Sequence, residues 1–107
     1  MKWLILKKHK LNNLTLIIPA KNEIESIDDV LKECLEYSKD LKILVIVDND
    51  SSDLTLDILN QQFDNRIKTI KNNSNLGVAK ANNQGVDVAL NKKCDKIFTF
   101  NISFTYD

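Results

Sequence analysis

The sequence predicts an α/β domain built on a mostly parallel sheet with alternating helices. Three observations predict it. Short, β-branched apolar runs recur at 14–18, 42–48, 66–70 and 96–100. Between them, apolar residues return at helical rather than alternating spacing. The run Ile43, Leu44, Val45, Ile46, Val47 is unbroken by polar residues, which fits a strand covered on both faces, as in parallel sheets. A repeated strand–helix–strand order joins parallel strands through right-handed crossovers.

The first strand, Leu14 to Ile18, ends at Pro19, which cannot donate a ladder hydrogen bond and so fits where a sheet stops. A helix follows, with Ile24, Ile27, Val30, Leu31, Cys34 and Leu35 on one face. Lys21 or Asn22 lies near its start, and Glu23 and Glu25 suit the positive end of its dipole. The second strand spans Lys42 to Asp48. Ser51 or Ser52 is expected to cap a helix from Asp53 to about Phe63, with Leu56, Leu59 and Phe63 inward. Arg66 to Ile70 is a third strand, and Asn72 to Asn75 a polar turn. A third helix runs from Gly77 to about Leu90, with Val78, Ala81, Val86 and Ala89 or Leu90 for packing. Lys96 to Phe100 is the fourth strand.

Composition bounds the function. The 107 residues make one domain, with its core at about 14–100. Lys plus Arg and Asp plus Glu are both 15; this balance lacks the basic field that a nucleic acid or an acidic membrane requires. No apolar run approaches the roughly 20 residues of a membrane helix. The patch from Trp3 to Leu6 is too short for a signal peptide, so the expected location is cytoplasmic. Trp3 with Lys7, Lys8 and Lys10 offers at most a peripheral membrane contact. Cys34 and Cys94 fit no metal spacing, and Cys34 reads as a small buried hydrophobe. His9 is the only histidine, which excludes a Ser-His-Asp triad within the core.

In parallel α/β sheets, ligands bind beyond the carboxyl ends of the strands. That rule singles out Pro19 to Glu23, Asp48 to Asp53, Lys71 to Gly77, and Asn101 onward. "IIPAKNE" would project Asn22 and Glu23 at the sheet edge, as a helix cap or as a ligand site. "VDNDSSD" places Asp48 where a carboxylate accepts from a base N–H or a ribose hydroxyl; a turn with a cap explains Asp50 and Asp53. "NLGVAKANNQG" holds the chain's only two glycines, Gly77 and Gly85. Gly85 inside a helix costs about 1 kcal/mol against Ala unless close packing or a ligand requires it.

Taken in order, "IIPAKNE", "VDNDSSDLT" and "NLGVAKANNQG" resemble the N-terminal half of the family 2 glycosyltransferases, over about Leu14 to Phe100. The third segment is most similar to rhamnosyltransferase-like members. The resemblance implies a truncated GT-A fold, a Rossmann-like nucleotide-sugar-binding architecture. It implies that Pro19, Asn22 and Glu23 line a nucleotide pocket, with Glu23 toward the ribose or base. Asp48 corresponds to an acid that contacts the donor base, usually of a UDP- or dTDP-sugar. A second acid often follows it, and here that position is Asn49. Asn75, Gly77, Lys80 and Asn83 would border the nucleotide, and Asn82 stands where many members have Arg.

The family's Asp-x-Asp motif, which holds Mg²⁺ or Mn²⁺ against the diphosphate, falls here on Asn101 and Ser103, with Asp107 the nearest acid downstream. The resemblance therefore implies a divalent ion while these residues lack its charged ligands, and no residue presents itself as the general base. The expectation is a partial glycosyltransferase domain that binds a donor and does not turn over alone. The alternative is a catalytically dead nucleotide-binding or oligomerising scaffold module. The run "IFTFNISF" at an exposed strand edge predicts a homo-oligomer or aggregation-prone behaviour.

Overall fold

The computed structural model describes residues 13–37 and 41–102. Trp3, the lysines beside it, His9, Ser103 and Asp107 therefore lie outside the described residues. The elements alternate as β1 (Leu14–Ala20), α1 (Ile27–Tyr37), β2 (Leu41–Asn49), α2 (Thr55–Asn60), β3 (Ile67–Asn72), α3 (Val78–Asn91) and β4 (Lys96–Thr99). The strands form one sheet in the order β3-β2-β1-β4. Every pairing is parallel. From β1 the chain winds through β2 to β3, then crosses to the other side of β1. The direction of winding thus reverses between β1 and β4, and a crevice opens at such a reversal.

Both faces of the sheet are covered, as the unbroken apolar run of β2 requires. Leu16, Ile18, Leu44 and Ile46 point to one face and pack with Ile27, Leu31 and Cys34 of α1 and Leu59 of α2. Ile17, Val45 and Val47 point to the other and pack with Ala81 and Ala89 of α3. This is the two-residue alternation of a strand with apolar side chains in both phases.

β1 runs two residues further than its proline suggests. The Ile17 carbonyl accepts from Phe100 N–H at 2.9 Å, so Ile17 faces β4, and alternation turns Pro19 to the same side. β4 pairs with β1 only as far as Thr99 against Ile17. Pro19 therefore lacks its N–H where the ladder has already ended, and its other neighbours hold it opposite Val47.

The first helix begins at Ile27, later than its apolar spacing predicts. Ser26 and Ile27 N–H both donate to the Glu23 carbonyl, and the acids of its first turn are Asp28 and Asp29, not Glu23 and Glu25. The expected serine cap of α2 is absent. Its N-cap position is Leu54, with no side-chain bond. Ser51 is held by Asp48 and Asn22, and the Asp53 carboxylate takes the Thr55 N–H at 2.9 Å instead. α2 also ends at Asn60, so Phe63 falls outside its helical register and is 99% exposed, not inward.

In α3 the buried stripe is Ala81, Gly85 and Ala89. Leu90, expected as a packing choice, lies off that stripe and is exposed, and Val78, in line with it, is exposed at the cavity rim where the helix begins. The small stripe lets α3 lie close to the sheet. A Cβ built on Gly85 would meet three Ile17 side-chain carbons at 2.5–2.7 Å. Of the two reasons for a glycine here, close packing is the one observed. No helix among the described residues is long and apolar enough to cross a membrane.

Candidate functional site

An open cavity of about 180 Å³ lies beyond the carboxyl edge of the sheet. Pro19, Lys21 and Glu23 contribute from the end of β1, and Asn49 from the end of β2. The turn into α3 adds Asn75, Gly77 and Val78, and Asn101 closes the wall just past β4. The cavity thus sits at the winding reversal between β1 and β4. All four segments singled out by the strand-end rule reach it.

Gly77 shapes one wall. Its φ of 86° and ψ of 163° fall in a region essentially restricted to glycine. The Asn75 carboxamide oxygen accepts its N–H at 3.0 Å. This turn brings the chain from β3 to the rim before α3 begins.

Asn49 forms the floor and is 4% exposed. Its Oδ1 accepts from Asn72 Nδ2 at 2.8 Å, and its own Nδ2 donates to the Gly77 carbonyl at 3.4 Å. Asn72 and Gln84 exchange two amide bonds, each 2.8 Å. A backbone carbonyl can only accept, so Gly77 fixes which end of each amide faces which. This relay ties β2, β3, α3 and the cavity together. Sequence reasoning missed it, because Asn72 reads as a turn residue and nothing in the pattern gives Gln84 a role of its own.

Other expected site residues do not line the cavity. Asp48 is 1% exposed and its carboxylate accepts from the N–H and hydroxyl of Ser51. Asn22 has a positive φ of 54°. Its Oδ1 accepts from Ser52 N–H at 2.7 Å and Asp53 N–H at 3.3 Å, and its own N–H donates to Ser51 Oγ at 2.9 Å. Asn22 and Asp48 therefore brace the loops behind the cavity. Lys80 and Asn83 lie on the exposed face of α3. Asn82 has a buried Oδ1 with no hydrogen-bond partner.

Loss of solvent pushes the Asp53 carboxyl up, but the Thr55 hydroxyl, the Thr55 N–H and the Ile24 N–H together bring it below the ordinary carboxylate range. Elsewhere, burial pushes the Cys34 thiol up, consistent with an inert packing residue.

Lys21 and Val78 also line the cavity, where the sequence offers Lys21 only as a residue near a helix start and Val78 only for packing. The Lys21 ammonium donates to the carbonyls of Asp50 at 2.8 Å and Asn49 at 3.4 Å. Glu23 is the single carboxylate on the lining, and Asn101 supplies a neutral amide. Among the described residues, no group of three or more His, Cys, Asp or Glu is placed to hold a metal ion. A divalent cation takes several hard oxygen ligands, with carboxylates supplying charge, and the described lining does not fit one.

The sequence profile of Glycosyl transferase family 2 matches residues 15–100. The chain belongs to that family, and its four-stranded parallel sheet with covering helices is consistent with the Rossmann-like GT-A fold. No curated protein matches the chain.

Proposed function

We propose that the cavity binds a nucleotide-diphosphate sugar, a UDP- or dTDP-sugar being the expected class. The observation that carries this reading is convergence: Pro19, Glu23, Asn49, Asn75 and Gly77, expected from separate segments, meet around one cavity with Asn101. The family membership supports a nucleotide-sugar donor. In this reading Glu23 receives ribose hydroxyls, and Asn49 takes the base-side contact because it, unlike Asp48, borders the cavity. Gly77 lets the backbone approach the ligand without a Cβ.

Sugar transfer also needs a group to take the acceptor's proton. Glu23, committed here to the ribose, is the only carboxylate on the lining, so the described residues are proposed to bind a donor without turning it over. Calorimetric titration with UDP and dTDP, with and without Mn²⁺, tests the reading. Micromolar to millimolar binding that Asn49→Ala weakens supports it, and no binding by the folded chain removes it.

Self-association is proposed as a second property. β4 ends the sheet among the described residues, and Phe98 on it is 37% exposed, the kind of edge that recruits another strand. Light scattering across a hundredfold concentration range checks it, and a monomer throughout contradicts it.

A further inference from the structure

Resting on the nucleotide reading above, we propose that Lys21 is the cation that receives the nucleotide's phosphates, supplying positive charge that a divalent ion would otherwise bring. Lys21 is the only Lys or Arg on the cavity lining. Two backbone carbonyls hold its ammonium at the end of β2. A carbonyl anchors an ammonium without neutralising it, and an ammonium carries three donors, so two are engaged and one remains. Lys21 makes no ion pair among the described residues; the two ion pairs there are Lys32–Asp28 and Arg66–Asp64. Its ammonium is therefore anchored by carbonyls and directly paired with no carboxylate among the described residues.

The rest of the lining points the same way. A phosphate group needs positive charge at close range, and a lysine serves as a point charge for it. Asn101 can offer an amide but no charge, and Glu23 would repel phosphate. Lys21 and Glu23 therefore sort the two ends of a nucleotide, phosphate to the ammonium and ribose hydroxyls to the carboxylate. A built-in ammonium works at any metal concentration, whereas a divalent ion needs several charged oxygen ligands that this lining does not supply.

The test compares UDP with uridine, which differ only in the phosphates, by calorimetry in EDTA and again with Mn²⁺. The chain is expected to bind UDP about tenfold or more tighter than uridine in EDTA, with Mn²⁺ adding less than about twofold. Lys21→Gln keeps a donor for the two carbonyls and removes the charge. It is expected to lose the UDP-over-uridine increment while uridine affinity stays within about twofold of wild type. An increment that appears only with Mn²⁺, or that survives in Lys21→Gln, overturns the role of Lys21 and leaves the nucleotide reading standing. Absence of binding by both uridine and UDP in every condition overturns the nucleotide reading and this role with it.

Discussion

The carboxamide oxygen of Asn22 accepts the backbone N–H of Ser52 at 2.7 Å, across 30 residues of sequence. That bond, with those to Asp53 N–H and from Asn22 N–H to Ser51, locks the loop after β1 onto the loop after β2. Asn22→Gly keeps the positive φ and removes only the carboxamide. It is expected to cost about 1–2 kcal/mol. Asn22→Ala adds backbone strain of about 1–2 kcal/mol more. Urea denaturation of both variants measures the two terms separately, and equal losses would mean that the φ carries no strain.

The clamp also has an acid limit. Asp53 sits below the ordinary aspartate value in the folded chain, so the carboxylate is worth most above the unfolded pKa of about 4. Its contribution is lost as pH falls through the lower folded value. Asp64, lowered first of all by its hydrogen bond with Arg66, adds in the same sense. Stability is expected to hold at pH 5 and decline below about pH 4. Asp53→Asn should be less stable at neutral pH and show a shallower acid decline. A parallel decline in both proteins would contradict this.

Gly85 faces Ile17 so closely that a methyl group has no space. Gly85→Ala gains helix propensity of about 1 kcal/mol, yet overpacking costs about 1–3 kcal/mol, so net loss is expected. Ile17→Ala opens that space. Thermal denaturation of the two single variants and the double variant should show that the double loses less than the sum of the singles. Additive losses would place the strain elsewhere.

Asn72 is 8% exposed and depends on Gln84 for two of its three amide bonds. Gln84→Leu leaves those buried groups without partners and is expected to destabilise by about 1–3 kcal/mol. Because Asn72 orients Asn49, nucleotide affinity should fall as well, which calorimetry on the still-folded variant detects. Unchanged stability would show that water replaces the glutamine.

The sheet was legible because apolar runs with β-branched residues and helical spacing between them are properties of neighbouring positions. The end of α2 was not, since nothing local in "DLTLDILNQQF" marks Asn60 as its last residue, and Phe63 was misplaced with it. The cavity was legible by a topological rule: strand ends at a winding reversal gather Pro19, Glu23, Asn49, Gly77 and Asn101 whatever lies between them. The loop-bracing hydrogen bonds of Asp48 and Asn22 were not, because an acid or amide in a turn looks the same whether it faces a ligand or a neighbouring loop. Only the hydrogen-bond partners separate the two cases. The place of Lys21 on the cavity was overlooked for a related reason, since a lone lysine after a strand carries no pattern.

The central claim is that the carboxyl-edge cavity is a nucleotide site, and amide chemical-shift mapping of the ¹⁵N-labelled chain with UDP tests it most directly. The account predicts shifts concentrated at Lys21, Glu23, Asn49, Asn75, Gly77 and Asn101, with Asn13, Lys42 and Lys93 at the opposite edge unmoved. Shifts clustered at that opposite edge, or none at millimolar UDP, would contradict it.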